Sequence, residues 1–346
     1  MARSLRLSPR SITIEADVTQ KPARTLNYQA GDPLEPLATP RWIHRWAVLT
    51  VCATVALLAL GAIVTTFHVG MTDPIWPTTP WHLLFVSWQE PGPGFLIEHS
   101  HRLAGYIVGC CTIILAIGLW RYQSRRWLAW LGMAALAGVI AQGLLGGFRV
   151  RLNALVGTDL ALVHGCFAQL VFALLVSLAV FTSQGWATAK APFSSRLRRW
   201  SLLTTIVVYT QLVLGGFVRH TSSGLGQRGH LLIAFAVVAS VVWLLKIISE
   251  SQALGGRLTF AASLLAGLVI LQIVLGVEAW MIKFSGGMVA DLKPITPQQG
   301  FVRTAHFLAG SGIFATAVTI SLLTYRQQAA AVHAVPAPTT RLEGAA

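Results

Sequence analysis

The residues best suited to chemistry in this sequence are four histidines that each open an apolar segment. In each case a glycine or alanine follows four residues later: His101 and Gly105, His164 and Ala168, His230 and Ala234, His306 and Gly310. Residues four apart share one helix face, so the small residue leaves room beside the imidazole for a flat ligand. Porphyrin is the obvious candidate. Two histidines per iron would give two bis-histidine heme sites.

A carboxylate and several arginines accompany these histidines. Glu98 precedes His101 by three residues and shares its helix face. It could accept a proton or stabilise positive charge in a reaction; alternatively, it is an acid at a helix N-terminus that interacts with the helix dipole. Arginines at the same level could bind heme propionates in a forked geometry or contact lipid headgroups. They are Arg102, Arg149, Arg151, Arg219, Arg228 and Arg303.

The other six histidines do not share the pattern. Four residues after His99 stands Leu103, which leaves no such room. The remaining five are predicted to lie in tails or loops with a structural role: His44, His68, His82, His220 and His333. A histidine at a membrane end can also be an interfacial hydrogen-bonding residue. That alternative applies to any one of the four patterned histidines, but less well to four in register.

The elements that carry these residues are predicted to be transmembrane helices. Hydrophobic residues make up 54% of the chain and charged residues 11%, values typical of an integral membrane protein. About 20 apolar residues span a bilayer, and eight stretches with few or no charges approach or reach that length. They are Trp46 to Phe67, Leu103 to Leu119, Trp127 to Phe148, Leu160 to Phe181, Trp200 to Val218, His230 to Leu245, Leu258 to Val277 and Thr304 to Leu323.

An internal repeat relates the two halves of the chain. Every odd-numbered predicted helix is expected to end in Leu-Gly, at Gly61, Gly146, Gly215 and Gly276, and each is followed by one of the four histidines. The predicted fold class is therefore an all-α integral membrane protein with two homologous four-helix bundles. The predicted organisation is a cytoplasmic tail (1–40), an N-terminal bundle (41–185), a C-terminal bundle (186–326) and a disordered tail (327–346).

The net charge of +14 reflects membrane orientation rather than a nucleic-acid partner. Basic residues alternate from loop to loop, and the longest loop on the other side, His68 to Phe95, has none. By the positive-inside rule both termini are cytoplasmic and the four histidines lie toward the outer side. The partner that the charge indicates is the lipid bilayer. We expect a multi-pass protein of the inner (cytoplasmic) membrane of a cell, with the mitochondrial inner membrane as the weaker alternative.

Several motifs resemble those of the heme A synthases. They are Glu98-His99-Ser100-His101-Arg102 with Gly105, the run Gln142 to Val150, Arg303-Thr304-Ala305-His306, and the loop Gly70 to Thr78; the resemblance extends over about residues 46 to 325. It implies oxidation of the C8 methyl of heme O to the formyl group of heme A. It also implies that the N-terminal half receives heme O at His101 and His164, with Glu98 as a catalytic residue.

The resemblance further implies that the C-terminal half keeps a heme b, its iron held by His230 and His306. Arg102 and Arg303 are the arginines predicted to contact heme. The implied partners are heme O synthase, an electron donor (ferredoxin-like or quinol) and the assembly of cytochrome oxidase. The sequence departs from some members in having no cysteine pair in an outer loop, and its segment from His220 to His230 is short.

Two other functions share some of these features. A di-heme electron-transfer cytochrome b would use all four histidines without converting a substrate, and it would not need Glu98. A transporter built from two repeats would explain the duplication but not the four histidines with adjacent small residues.

Overall fold

The computed structural model describes residues 39–72, 92–187, 194–221, 223–251, 256–284 and 294–332, with the side chains of the last helix described to residue 326. These residues fall within one compact unit, Leu37–Ala346. Several predicted features lie outside the description: tail residues 1–38 and 333–346 with His333, and loop residues 73–91 with His82.

Helices account for the regular structure of the described residues, and no strand occurs among them. Within the described ranges, eight helices are long and apolar enough to cross a membrane, which confirms the predicted all-α, eight-helix class. They are α1 (Arg41–Thr66), α2 (Pro93–Tyr122), α3 (Arg126–Val156), α4 (Asp159–Thr182), α6 (Ser195–His220), α7 (Gly224–Glu250), α8 (Gly256–Phe284) and α9 (Pro297–Val332). A short helix, α5 (Gln184–Ala187), follows α4.

Local sequence explains where several helices begin. Pro93 opens α2, where a missing backbone N–H costs nothing. Ser194 and Ser223 cap α6 and α7, and their hydroxyls accept hydrogen bonds from the amides of Leu197 and Gly226, each at 3.2 Å. Between these ends the backbone must satisfy its own hydrogen bonds, because a bilayer offers no water to do so. Long uninterrupted helices are the consequence.

The helices extend well beyond the apolar runs from which they were predicted. The sixth and eighth runs start at His230 and Thr304, whereas α7 begins at Gly224 and α9 at Pro297. The prediction that odd helices end in Leu-Gly is wrong, since α1 continues from Gly61 to Thr66. The other three helices likewise continue past their Leu-Gly pairs. Helices continue into the polar interface because the hydrogen bonds between their backbone N–H and C=O groups remain favourable there.

Two predicted loop or tail histidines are also helical. His44 lies in the first turn of α1, where its Nδ1 is 3.2 Å from the hydroxyl of Thr182 on α4. His220 is the last residue of α6. Polar residues around each histidine lower the local hydropathy, so the apolar run stops before the helix ends. His68, by contrast, lies in a turn with a positive φ of 57°.

Neighbouring helices pack in two sets. In the first, α1 contacts α2 and α4, and α3 contacts α2 and α4; in the second, α6, α7, α8 and α9 repeat this arrangement. Each set contains a cluster of buried apolar side chains, around Leu175 in the first and Leu244 in the second. Contacts of α9 with α1 and α4, and of α4 with α6, join the sets. The division into two bundles and the domain boundaries therefore stay predictions; α5 straddles position 185 and α9 passes position 327.

Candidate functional site

Each of the four patterned histidines packs its imidazole against the glycine of the preceding Leu-Gly pair. A Cβ atom built on that glycine would lie close to Cε1 of the ring. The distances are 2.8 Å for Gly61 and His101, 3.5 Å for Gly146 and His164, 3.1 Å for Gly215 and His230, and 3.0 Å for Gly276 and His306. The glycines therefore form seats for the rings, because in three of the four a methyl group would be closer than an ordinary carbon contact.

These glycine seats were not predicted from the sequence, in which the Leu-Gly pairs were interpreted only as helix ends. The signal that could have revealed them is the repeat itself, since each glycine precedes a histidine by one helix-to-helix connection. The small residue after the histidine has a separate environment. Beside Gly105, the nearest atom to a Cβ would be Cδ1 of Leu57, at 3.9 Å. A Cβ on Gly310, by contrast, would lie 3.3 Å from Cδ2 of Leu212, so the room that the His-x-x-x-small pattern predicts is present beside Gly105 but not beside Gly310.

His230 and His306 face each other across the second helix set. Their ring centroids are 6.4 Å apart and the ring planes are inclined by 76°. Two imidazoles that bind one metal at about 2 Å per metal-nitrogen bond have centroids about 6 Å apart once the ring radii are added. The observed separation is therefore one at which His230 and His306 could hold a single iron. Among the described residues no group of three or more His, Cys, Asp or Glu converges as for a bare ion.

Glutamines on the preceding helices contact three of the histidines. Nδ1 of His230 lies 3.2 Å from the backbone oxygen of Gln211, and donation to this oxygen leaves the ring's Nε2 as the nitrogen with a free lone pair. The side-chain amide of Gln272 lies 3.3 Å from Nε2 of His306. Gln142 donates to the backbone oxygen of His164 at 3.1 Å. The contacts at His230 and His306 restrain these two rings. Metal binding at Nε2 would require the amide of Gln272, and also that of Gln211 at 3.5 Å from Nε2 of His230, to turn aside.

The first histidine pair is surrounded by charge. His101 and His164 lie near enough to interact electrostatically, and Arg149 of α3 lies near both. Nδ1 of each ring is buried and has no hydrogen-bonding partner among the described residues. A buried nitrogen without a partner is costly. The first pair is thus brought together as the sequence predicted, although its role as a ligand set is not tested by this geometry alone.

Glu98 is a buried acid beside this pair. Its residue is 4% exposed, and its carboxylate accepts hydrogen bonds from Nη2 of Arg102 at 2.8 Å and from the Thr72 hydroxyl at 3.1 Å. The alternative of a helix-dipole acid is wrong, because α2 begins at Pro93 and its first turn contains no acid. Arg102 pairs with Glu98 on the same helix, and its contact with heme stays a prediction.

The arginines of the predicted outer level divide into two kinds. Arg151 and Arg228 are exposed. Arg219 is partly buried, and its guanidinium donates to the backbone oxygen of Ala62 and to Thr66 on α1. The charges of Arg149 and Arg303 both act on it. Three cations from α3, α6 and α9 thus converge between the two helix sets.

Two further histidines adjoin this region. His99 is 1% exposed and stacks on Phe95 with ring centroids 5.3 Å apart, which fits its predicted exclusion from the ligand sets. His220 was assigned a structural role in a loop. Its Nε2 would lie 3.8 Å from a Cβ built on Gly165, next to His164, and Thr158 donates to its backbone oxygen at 2.6 Å. It packs α6 against the start of α4.

Comparison with known proteins identifies the relatives of this chain. A family described as "Cytochrome oxidase assembly protein" matches residues 81–228, which include His101 and His164 but neither His230 nor His306. A heme A synthase of Lysinibacillus sphaericus is 30% identical over 190 residues, 54% of this chain and 60% of the relative. These matches show that the chain is similar to heme A synthases over about half of its length. The resemblance read from the motifs is thereby confirmed.

Other heme A synthases give the same result over different lengths. The Shouchella clausii protein is 30% identical over 54% of this chain and 62% of its own length. The Methylobacterium radiotolerans protein is 35% identical over 37% of this chain and 36% of its own length. The chain thus spans about three fifths of the first two relatives. The eight apolar helices make it a multi-pass membrane protein.

Proposed function

We propose that this protein is a heme A synthase, an oxidoreductase that converts the C8 methyl group of heme O to a formyl group. The observation that carries the proposal is a difference between the repeated halves. Three residues before the histidine, the first half has Glu98 before His101, and the second half has Arg303 before His306. One half therefore holds a buried carboxylate beside its histidine and the other a cation. This asymmetry assigns conversion to the first site and a resident heme b to the second.

The second site fits a heme with two axial imidazoles. The 6.4 Å separation of the His230 and His306 rings supports one iron between them, and the Nδ1 contact of His230 with Gln211 favours the metal-binding tautomer. Glycine seats at Gly215 and Gly276 hold the rings. When bound, a heme b would supply electron transfer, which these side chains do not provide.

The first site fits a substrate heme. His101 and His164 would hold the iron of heme O, and the positive charge of Arg149 near both rings supports a bound group that carries negative charge. Glu98 is held in place by Arg102 and Thr72, so the carboxylate is oriented before a substrate arrives. In this position it would accept a proton or stabilise positive charge at the carbon that is oxidised.

Heme propionates explain the convergence of positive charge. Arg219 donates to the neutral oxygens of Ala62 and Thr66, so these contacts do not neutralise its charge. The charges of Arg149 and Arg303 both act on Arg219, and the charge of Glu98 acts on Arg149. Carboxylates bind guanidinium groups in a forked geometry, and each heme has two propionates. We therefore assign Arg219, with Arg149 and Arg303, to propionate binding; Arg102 serves mainly to orient Glu98.

The proposed setting follows the relatives. Matching heme A synthases come from bacteria, which supports the inner (cytoplasmic) membrane of a bacterial cell. Heme O synthase would supply the substrate, and cytochrome oxidase assembly would use the product. A ferredoxin-like protein or a quinol would donate electrons. The di-heme cytochrome b alternative shares the histidines, but it gives no reason for a buried, oriented Glu98, and the relatives do not favour it.

The test is conversion of heme O by the purified protein and by Glu98→Gln. Protein reconstituted with heme O and a reductant system is incubated in air, and extracted hemes are separated by chromatography. The wild type should form heme A. Glu98→Gln keeps the size of the side chain but removes the charge, and it should slow formation on the order of 100-fold or more, as for removal of one transition-state electrostatic group.

The matched control is Glu250→Gln. Glu250 is an exposed carboxylate at the opposite end of the helices, 3.8 Å from Arg196, and its loss should leave conversion unchanged. Heme content and the absorption spectrum are measured in all three proteins. Conversion by Glu98→Gln at the control rate would remove Glu98 from catalysis. Absence of heme A from the wild type, with both hemes bound, would instead favour the electron-transfer cytochrome.

A further inference from the structure

A groove of about 880 Å³ lies between α1, α4, α8 and α9, separate from the histidine sites. It is lined by Arg41 at the start of α1 and Gly256 at the start of α8. Each of these residues is twenty positions before the glycine seat on its own helix, which corresponds to about 30 Å along an α-helix. The groove therefore opens at the end of the helices opposite the candidate heme sites.

One part of the groove is apolar. Its wall includes Val51 and Val176 from the first helix set, and Phe260, Leu264 and Leu323 from the second. Phe260 is 70% exposed. Because helices of this length place this region in the bilayer, its ring is available to contact lipid. Apolar surface between transmembrane helices is covered by hydrocarbon in a membrane, so acyl chains suit this part.

The other part of the groove is basic. Arg41, Arg45 and Arg257 line it and are exposed, and His44 lies beside them, linked to Thr182 at 3.2 Å. No acidic residue is among the described residues that line it. The Arg257 guanidinium rests on the backbone of α5, where a Cβ on Gly185 would overlap it. The arginines also mark the side that the basic loops predict to be cytoplasmic.

We propose that this groove binds one anionic phospholipid, with its acyl chains between the two helix sets and its phosphate at Arg41, Arg45 and Arg257. Two features select this occupant. The apolar wall favours hydrocarbon at bilayer depth. The three arginines, with no acidic residue among the described residues of the lining, favour an anion at the headgroup level. Basic pockets between transmembrane helices on the cytoplasmic side have this chemistry. A neutral quinol would satisfy the wall but leave the three positive charges unpaired.

The bound lipid would stabilise the junction of the two helix sets. The lining residues of α1 and α4 belong to one set and those of α8 and α9 to the other, so a lipid in the groove contacts both. Lipid binding in this groove does not depend on the heme sites, and it is measured without an assay of heme O conversion.

The experiment compares Arg45→Gln/Arg257→Gln with Arg121→Gln/Arg126→Gln. The control pair lies at the same end of the helices, is exposed, and does not line the groove; both variants lose two positive charges. Full-length proteins are placed in nanodiscs of phosphatidylcholine with 0 to 20% phosphatidylglycerol. Bound lipid is counted by native mass spectrometry after mild detergent extraction, and melting temperature is recorded for each composition.

We expect one phosphatidylglycerol to remain on the wild type and on the control. The groove variant should bind it about 30-fold more weakly, as for loss of two basic residues near a lipid phosphate, and should not gain thermal stability from it. Ala315→Phe, which fills the apolar part, should also release the lipid without changing the charge. Equal losses in groove and control variants would show general surface attraction and overturn the proposal. Retention of phosphatidylcholine or of a quinone in preference to phosphatidylglycerol would also overturn it.

Discussion

Replacement of Gly61 by alanine should disturb the first site alone. The added Cβ would lie 2.8 Å from Cε1 of His101, whereas carbon atoms in contact prefer about 3.5 to 4.0 Å. The His101 ring must therefore move by at least about 0.7 Å, or the backbones of α1 and α2 must separate by a similar amount. A displacement approaching 1 Å can slow a reaction by about 100-fold, so we expect heme A formation to fall about 10- to 100-fold.

Two matched variants make this prediction specific. Gly146→Ala introduces the same methyl group beside His164, but its Cβ would lie 3.5 Å from the ring, so conversion should stay near the wild-type rate. Gly276→Ala would place a Cβ 3.0 Å from Cε1 of His306 and should change the heme b spectrum of the second site. The assays are heme chromatography for conversion and low-temperature absorption or electron paramagnetic resonance spectroscopy for the resident heme.

Equal rates of heme A formation by Gly61→Ala and Gly146→Ala would contradict the role of Gly61 in positioning the His101 ring. Equal, near-normal conversion would mean that the ring or helices adjust without consequence. An equal and large loss would mean that any added methyl group disturbs helix packing. Melting temperature separates these outcomes, because overpacking by one methyl group typically destabilises a protein by about 1 to 3 kcal/mol, and Gly61→Ala should lose conversion out of proportion to that change.

Three other predictions address the second site, the arginines and the topology. His306→Ala should abolish the low-spin spectrum of a six-coordinate heme b while the first site still binds heme O, and an unchanged spectrum would remove His306 from the ligand set. Arg219→Gln should reduce heme retention during purification about 10-fold, as for loss of one charge-assisted hydrogen-bond partner, whereas Arg228→Gln, at an exposed position, should retain heme; equal retention would contradict propionate binding. Alkaline phosphatase fused within residues 68–95 should be active and fused after Arg126 inactive, and the reverse pattern would invert the predicted orientation.

Hydropathy was sufficient for the number and class of the helices. A transmembrane segment must satisfy its backbone internally and present apolar side chains to lipid, so its presence is recorded in a short stretch of sequence. The ends of the helices were predicted less well. His44 and His220 were placed in tails or loops because polar residues there lower hydropathy, yet helices extend through both positions.

The candidate site was predicted as a set of residue types but not as an arrangement. His101, His164, His230 and His306 were recognised from spacing along their own helices, since residues four apart share a face whatever surrounds them. Glu98 was recognised for the same reason. Its partners Arg102 and Thr72 could not be assigned. Thr72 lies in a different segment from Glu98. The choice between the helix dipole and a side-chain partner depends on where α2 begins.

The sequence by itself determined which residues are candidates to bind a heme and the eight helices long and apolar enough to span a membrane that the described residues contain, since both depend on patterns within single segments. Only the tertiary structure decided what those residues contact. The seating of His101 on Gly61, the 6.4 Å separation of His230 and His306, and the link from Arg219 to Ala62 all join different helices. Such contacts depend on how helices rotate and tilt against each other, and that is decided by the fit of many side chains at once.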